Sequence, residues 1–192
     1  ETDQYSSTFG KAANILTLPF SNLGLGSIPA RNWIKDHATA AGYHRHWCLD
    51  DNIRNVYRRY RGIKLPCASG IAFATIEDFT DRYENIGISG MNYYMFAPND
   101  RPMPPFWLNC HVYSCMLIRN DTAHRWRGRY NEDTDLCLQF LADGWCTVAF
   151  NVFLTHKVST MTLKGGNTDE LYAGDGRLRM ARSLERLWPG VV

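Results

Sequence analysis

Apolar positions along this chain fall into short blocks, separated by polar segments rich in glycine, proline and arginine. The first block, Ile15-Leu16-Thr17-Leu18-Pro19, predicts a buried strand. Ser27, Pro29 and Gly42 then bracket a predicted helix from Ile28 to Ala41, capped by Ser27, with Ile34, Ala38 and Ala41 on one face. Arg45-His46-Trp47-Cys48-Leu49 predicts the next strand, buried, with Asp50-Asp51-Asn52 where it runs out. Ser69 caps a second predicted helix, roughly Gly70 to Tyr83, and Ile86 to Met91 predicts another strand. Four prolines between Ala97 and Phe106 make that segment an extended loop. Leu108 to Ile118 predicts a long strand, Thr134 to Ala142 a helix ended by Gly144, and Cys146 to Leu154 a further apolar strand. Met161 to Gly176 reads as a polar, glycine-rich loop, and Leu178 to Leu187 places Arg and Leu at helical spacing.

This alternation predicts an α/β class: one domain over residues 1–192, built as a Rossmann-type mixed sheet flanked by helices. The chain opens on Glu1 without an initiator Met and closes on Trp188-Pro189-Gly190-Val191-Val192, so truncation at both ends is an open expectation. Its 192 residues, 45% hydrophobic and 21% charged, are ordinary for a globular domain. A net charge of +2 does not by itself argue for a nucleic-acid partner; the placement of the charge decides that. The six cysteines form no C-x-x-C pair, which argues against a zinc ribbon, and they read as reduced core residues of a cytosolic protein. No apolar run approaches a membrane span.

The candidate chemistry begins with Asp50 and Asp51. Ligands of α/β sheets bind in the crevice beyond strand ends, and hard cations such as Mg²⁺ or Mn²⁺ take carboxylate oxygens together with substrate phosphates. Asp-Asp-Asn is equally good turn material, so a solvated turn is the competing reading. A second acidic cluster, Asn131-Glu132-Asp133-Thr134-Asp135, opens the third helix. Carboxylates there are favoured by the helix dipole, which explains Asp135 without function, whereas Glu132 and Asp133 are candidates for a general base. Arg31, or Lys164 with Gly165-Gly166, could meet donor phosphates; the latter lacks Walker A spacing and reads equally well as a hairpin tip. His111 and His156 sit near strand ends, and His156 is the better candidate to complete a metal shell with Asp51. Arg125, Trp126, Arg127 and Arg129, like Arg54, Arg58, Arg59 and Arg61 with their tyrosines, interleave guanidinium and aromatic groups. That pattern suits phosphates and unstacked bases, or simply arginine stems lying on a surface hairpin.

Three segments, Leu25-Gly26-Ser27-Ile28-Pro29-Ala30-Arg31-Asn32-Trp33, Trp47-Cys48-Leu49-Asp50-Asp51-Asn52-Ile53 and Asn131-Glu132-Asp133-Thr134-Asp135-Leu136, resemble GT-A-type nucleotide-sugar glycosyltransferases. Within that group the chain is most similar to the TET/JBP-associated glycosyltransferases of bacteriophages. The resemblance implies a GT-A-like domain that moves a hexosyl or N-acetylhexosaminyl group, with inversion, from a UDP-sugar to 5-hydroxymethylcytosine in phage DNA, in the host cytoplasm. It implies Mn²⁺ or Mg²⁺ held by Asp50 and Asp51, Asp133 as the base with Glu132 as substitute, and Arg31 beside the donor; the DNA contacts expected of Arg125, Trp126, Arg127 and Arg129 rest on the arginine–aromatic interleaving alone. It departs from the family pattern at the front, where no strand and glycine-bearing loop precede Ile15. Two rivals are an inactive DNA-binding module of the same fold and a metal-dependent nucleotidyltransferase or phosphohydrolase.

Overall fold

A computed structural model describes residues 2–21, 23–158 and 175–192, leaving aside the side chain of Arg177. The elements in chain order are α1 (Thr2–Phe9), α2 (Ile28–Ala40), β1 (Arg45–Leu49), β2 (Ile53–Tyr60), β3 (Ile63–Pro66), α3 (Ile71–Thr80), β4 (Ile86–Tyr93), β5 (Phe106–Leu108), β6 (Cys115–Arg119), α4 (Glu132–Ala142), β7 (Cys146–Lys157) and α5 (Gly176–Leu187). The strands form one seven-stranded sheet in the order β1-β6-β4-β7-β2-β3, with β5 paired to β7. β4 and β7 are the parallel pair, and the remaining pairings are antiparallel. The chain is thus the mixed α/β sheet that its alternation predicts.

Successive strand residues feed two separate cores, as the two-residue period of a strand requires. Cys48, Ile88, Met116, Ile118 and Ala149 point to one face, where Leu136, Cys137 and Phe140 of α4 and the partly buried Ile28 of α2 cover them. Trp47, Met91, Cys115, Leu117, Val148 and Phe150 point to the other, against Ala72 and Ile76 of α3; Ile86 joins this second core because the register of β4 on β7 shifts between Ile86 and Ile88. Helix α4 approaches the sheet very closely: a Cβ on Gly87 would lie 2.1 Å from the Phe140 ring. Burial on both faces explains why the central strands read as continuous apolar runs. All six cysteines are free thiols; Cys48, Cys115 and Cys137 are buried and the other three half-buried. No described helix is long and apolar enough to cross a membrane.

Several predicted elements differ in the structure. Ile15–Pro19 is not a strand. Among the described residues it pairs with no strand, Leu16 is 49% exposed, and the adjacent α1 buries none of its own residues, so the described part of the chain supplies no layer that covers the run. The predicted strand Leu108–Ile118 is broken in two, because Asn109 (φ 51°) and Ser114 (φ 64°) take left-handed backbone and send β5 and β6 to different partners. The hairpin β2–β3 escaped the apolar pattern; its two-residue turn, Arg61-Gly62, has positive φ at both positions, the geometry that matches strand twist. Ser27 and Ser69 do not cap with their side chains: α2 has no side-chain cap, and α3 starts from Gly70. The predicted loop Met161–Gly176 lies almost wholly outside the described residues.

Candidate active site at the start of helix α4

Four elements converge at one corner of the sheet. Asp50 follows β1, and its N–H donates to the Ser114 carbonyl (2.8 Å), which fixes the strand end against the loop before β6. From α2, Arg31 reaches across with both terminal nitrogens: Nη2 donates to Asp50 Oδ1 (3.2 Å) and Nη1 to Glu132 Oε1 (3.0 Å). Its guanidinium lies 4.4 Å from the Trp126 ring centroid. The rigid, planar fork of arginine suits this bridging of two carboxylates from different elements. From the last residue of β7, Lys157 Nζ donates to Asp50 Oδ2 (3.1 Å) and to Ser114 Oγ (2.7 Å). Helix α4 supplies Glu132 and Asp133 from its first turn, after Asn131 in left-handed backbone (φ 52°).

These groups line a cavity of about 90 Å³. That is below the roughly 300–1,000 Å³ of small-molecule sites, so the enclosed part fits the reacting end of a ligand. The two acids of α4 are held differently. Asp133 Oδ1 accepts from the Thr134 N–H (2.8 Å) and Oδ2 lies 3.3 Å from His111 Nε2, whose ring stacks on Tyr113. Burial pushes the Asp133 carboxyl up, but the His111 hydrogen bond and charge, the Thr134 N–H and Arg31 outweigh it, and the net direction is down. Glu132 goes the other way. Its burial dominates over its own backbone N–H and Arg31, and the charges of Asp133 and Asp50 add to the rise. Two adjacent carboxyls driven apart in this way are the usual mark of divided acid and base roles. The Tyr113 hydroxyl, also at the cavity, is buried without a hydrogen-bond partner among the described residues.

The structure brings together Arg31, Asp50, Glu132 and Asp133 of the residues singled out in the sequence. It does not bring Asp51 or His156 to them. Asp51 is exposed on the turn after β1. His156 packs beside the rings of Tyr57 and Tyr94, and it is the next residue, Lys157, on the opposite face of β7, that reaches Asp50. Both oxygens of Asp50 already accept from a cationic side chain, and among the described residues no three His, Cys, Asp or Glu side chains gather as a cation site. The described residues of this cavity therefore do not fit a resident Mg²⁺ or Mn²⁺ as arranged. Lys164 and Gly165 lie outside the described residues.

The arginine–aromatic segment buries only its tryptophan, and two of its half-exposed arginines pair with carboxylates of the protein. Arg125 pairs with Asp36, and Arg127 makes three contacts to Asp135 at 2.9–3.2 Å. Trp126 is 2% exposed, with its backbone clamped by Asn32, so it is a core residue beneath Arg31 and not a surface on which a base could stack. Arg129 is exposed. On the hairpin, Arg59 is tied to the Pro98 and Arg101 carbonyls, while Arg58 and Arg61 flank Tyr60. Lys157, Ser114 and Tyr113 were missed in the sequence. Only the length of β7 could have signalled Lys157, since its register against β2 carries the strand three residues past Leu154.

An open mixed sheet with a polar, acid-bearing cavity at one strand end and helix start defines an α/β protein equipped for group transfer. A family model, that of the TET-associated glycosyltransferases, matches residues 1–166, which include every residue of the cavity, and the chain belongs to that family. No curated protein and no solved structure matches it.

Proposed function

We propose that the protein transfers a sugar from a nucleotide-sugar donor, a UDP-sugar, to the hydroxyl of 5-hydroxymethylcytosine in DNA. Family membership supports the glycosyl transfer. The observation that supports the mechanism is the meeting, in one cavity, of two cationic side chains on Asp50 with a positioned carboxylate at the start of α4. Asp133 takes the proton of the hydroxymethyl group. The freed oxygen pair forms the new bond to the anomeric carbon from the face opposite the leaving group. The bond from that carbon to the diphosphate breaks, and its electron pair leaves on the phosphate oxygen, where Arg31 and Lys157 meet the charge. His111 holds Asp133 ionised and oriented. The orphan Tyr113 hydroxyl supplies a donor toward a ligand oxygen.

The test is incubation of duplex DNA containing 5-hydroxymethylcytosine with a panel of UDP-hexoses and UDP-N-acetylhexosamines, followed by digestion and nucleoside mass spectrometry. One donor should add the mass of a single sugar, and Asp133→Asn should remove that product. A wild-type protein inactive with every donor, or a transfer rate undiminished by Asp133→Asn, overturns the proposal.

A further inference from the structure

Helix α5 follows the residues that the family model matches, and the cavity does not use it. It is nonetheless fastened to the site. Asn131, the residue before Glu132, donates to the Met180 carbonyl (2.9 Å), and Trp188 Nε1 donates to Asp135 Oδ1 (2.8 Å) one turn further along α4. Met180, Leu184, Leu187 and Trp188 face inward, while Arg179, Arg182 and Arg186 are exposed. Their i, i+3, i+7 spacing puts the three arginines in one narrow stripe, and they line a shallow groove with Glu185. No carboxylate among the described residues forms an ion pair with any of them; Arg186 donates only to the Arg182 carbonyl. Like charges three and four residues apart disfavour a helix unless an anion answers them.

From these observations we infer that the α5 stripe is the surface that docks the phosphate backbone of duplex DNA and delivers the target base to the cavity at the start of α4. The inference rests on the proposed DNA substrate and locates its contact. At about 1.5 Å per residue, Arg179 to Arg186 spans about 10 Å of helix, close to three phosphate-to-phosphate steps of about 3.4 Å of axis along one strand. Arginine matches phosphate with a two-pronged donor pair.

The experiment is fluorescence anisotropy of a labelled duplex containing 5-hydroxymethylcytosine, titrated with the full chain across a range of NaCl concentrations. In the triple variant Arg179→Gln, Arg182→Gln, Arg186→Gln, the slope of log affinity against log salt should shrink by about 2.7, that is about 0.9 for each lost phosphate contact. The triple Arg→Lys variant should keep the wild-type slope. Should the triple Gln chain fail to fold by circular dichroism, Arg182→Gln alone should lower the slope by about 0.9. An unchanged slope in folded Gln variants overturns the inference. Binding needs no sugar donor, so the two ideas fail separately: no transfer with any donor sinks the enzymatic proposal alone, whereas intact transfer with an unmoved salt slope sinks the stripe alone.

Discussion

Asp133 and Asp135 sit two residues apart in the first turn of α4, yet they belong to two different regions. Asp135 lies in the seam between α4 and α5 and is wholly buried. Arg127, Gln139 and Trp188 give it five donor contacts, saturating both oxygens. Asp133 lies in the cavity with one backbone donor and one imidazole on it, and accepting capacity is left over. A carboxylate whose oxygens are all committed serves the fold; one held in place but incompletely satisfied can take a proton. Residue type and helix turn are the same in both, and the two-residue offset turns them into different surroundings.

The largest expected effect breaks the comparison at the cavity. Asp133→Asn should reduce transfer by about 10²- to 10⁴-fold, the usual contribution of a positioned base. Its melting temperature should stay close to wild type, measured by calorimetry beside the transfer assay. Asp135→Asn should do the reverse: stability should fall by about 1.5–3 kcal/mol, since a buried carboxylate loses its charge-assisted hydrogen bonds while its half-exposed partner Arg127 is solvated, and at about 2–4 °C per kcal/mol for this size the melting point should drop by about 3–12 °C. Transfer by the folded fraction should persist. Equal effects of the two substitutions on transfer would erase the distinction.

Arg31→Lys should weaken donor-nucleotide binding by about tenfold, or about 1.4 kcal/mol, by isothermal titration, because a single ammonium cannot bridge Asp50 and Glu132 as the fork does. The pH profile sharpens the same contrast. Asp133 is held below the ordinary aspartate range, so its ionised form persists down to that lowered value; the stability it contributes is complete above the ordinary range, shrinks as pH falls between the two values and is gone below the lowered one. His111→Gln removes the strongest downward pull, and the acid limb of kcat/KM should move to higher pH; an unmoved limb would remove His111 from the site. The smallest effect expected is none. Mn²⁺ titrated into the protein alone should give no saturable binding heat, since Asp50 is already answered by Arg31 and Lys157; a stoichiometric signal would restore the metal reading.

Much of the site was legible locally. Asp50 at a strand end, Glu132 and Asp133 at a helix start, and Arg31 in the helix before β1 can all be placed from turn, cap and periodicity signals, because those depend on neighbours in the chain. Trp126 was misassigned because an aromatic between arginines looks the same on a surface hairpin and under a guanidinium in the core; only the packing of α2 over residues 124–127 separates the two. His156 and Lys157 show the same limit. Adjacent strand residues face opposite ways, and one position of register decides which of them meets Asp50.

The amino-acid sequence alone determined the α/β class, most of the elements and the acidic clusters, since helix and strand periods and capping chemistry are written within about a dozen consecutive residues. Which carboxylate is saturated, which cations answer Asp50, and that β1 and α4 share one cavity were decided by the tertiary structure. Those outcomes depend on contacts between residues up to 107 positions apart, and no local pattern encodes the balance of burial against partners that such contacts set.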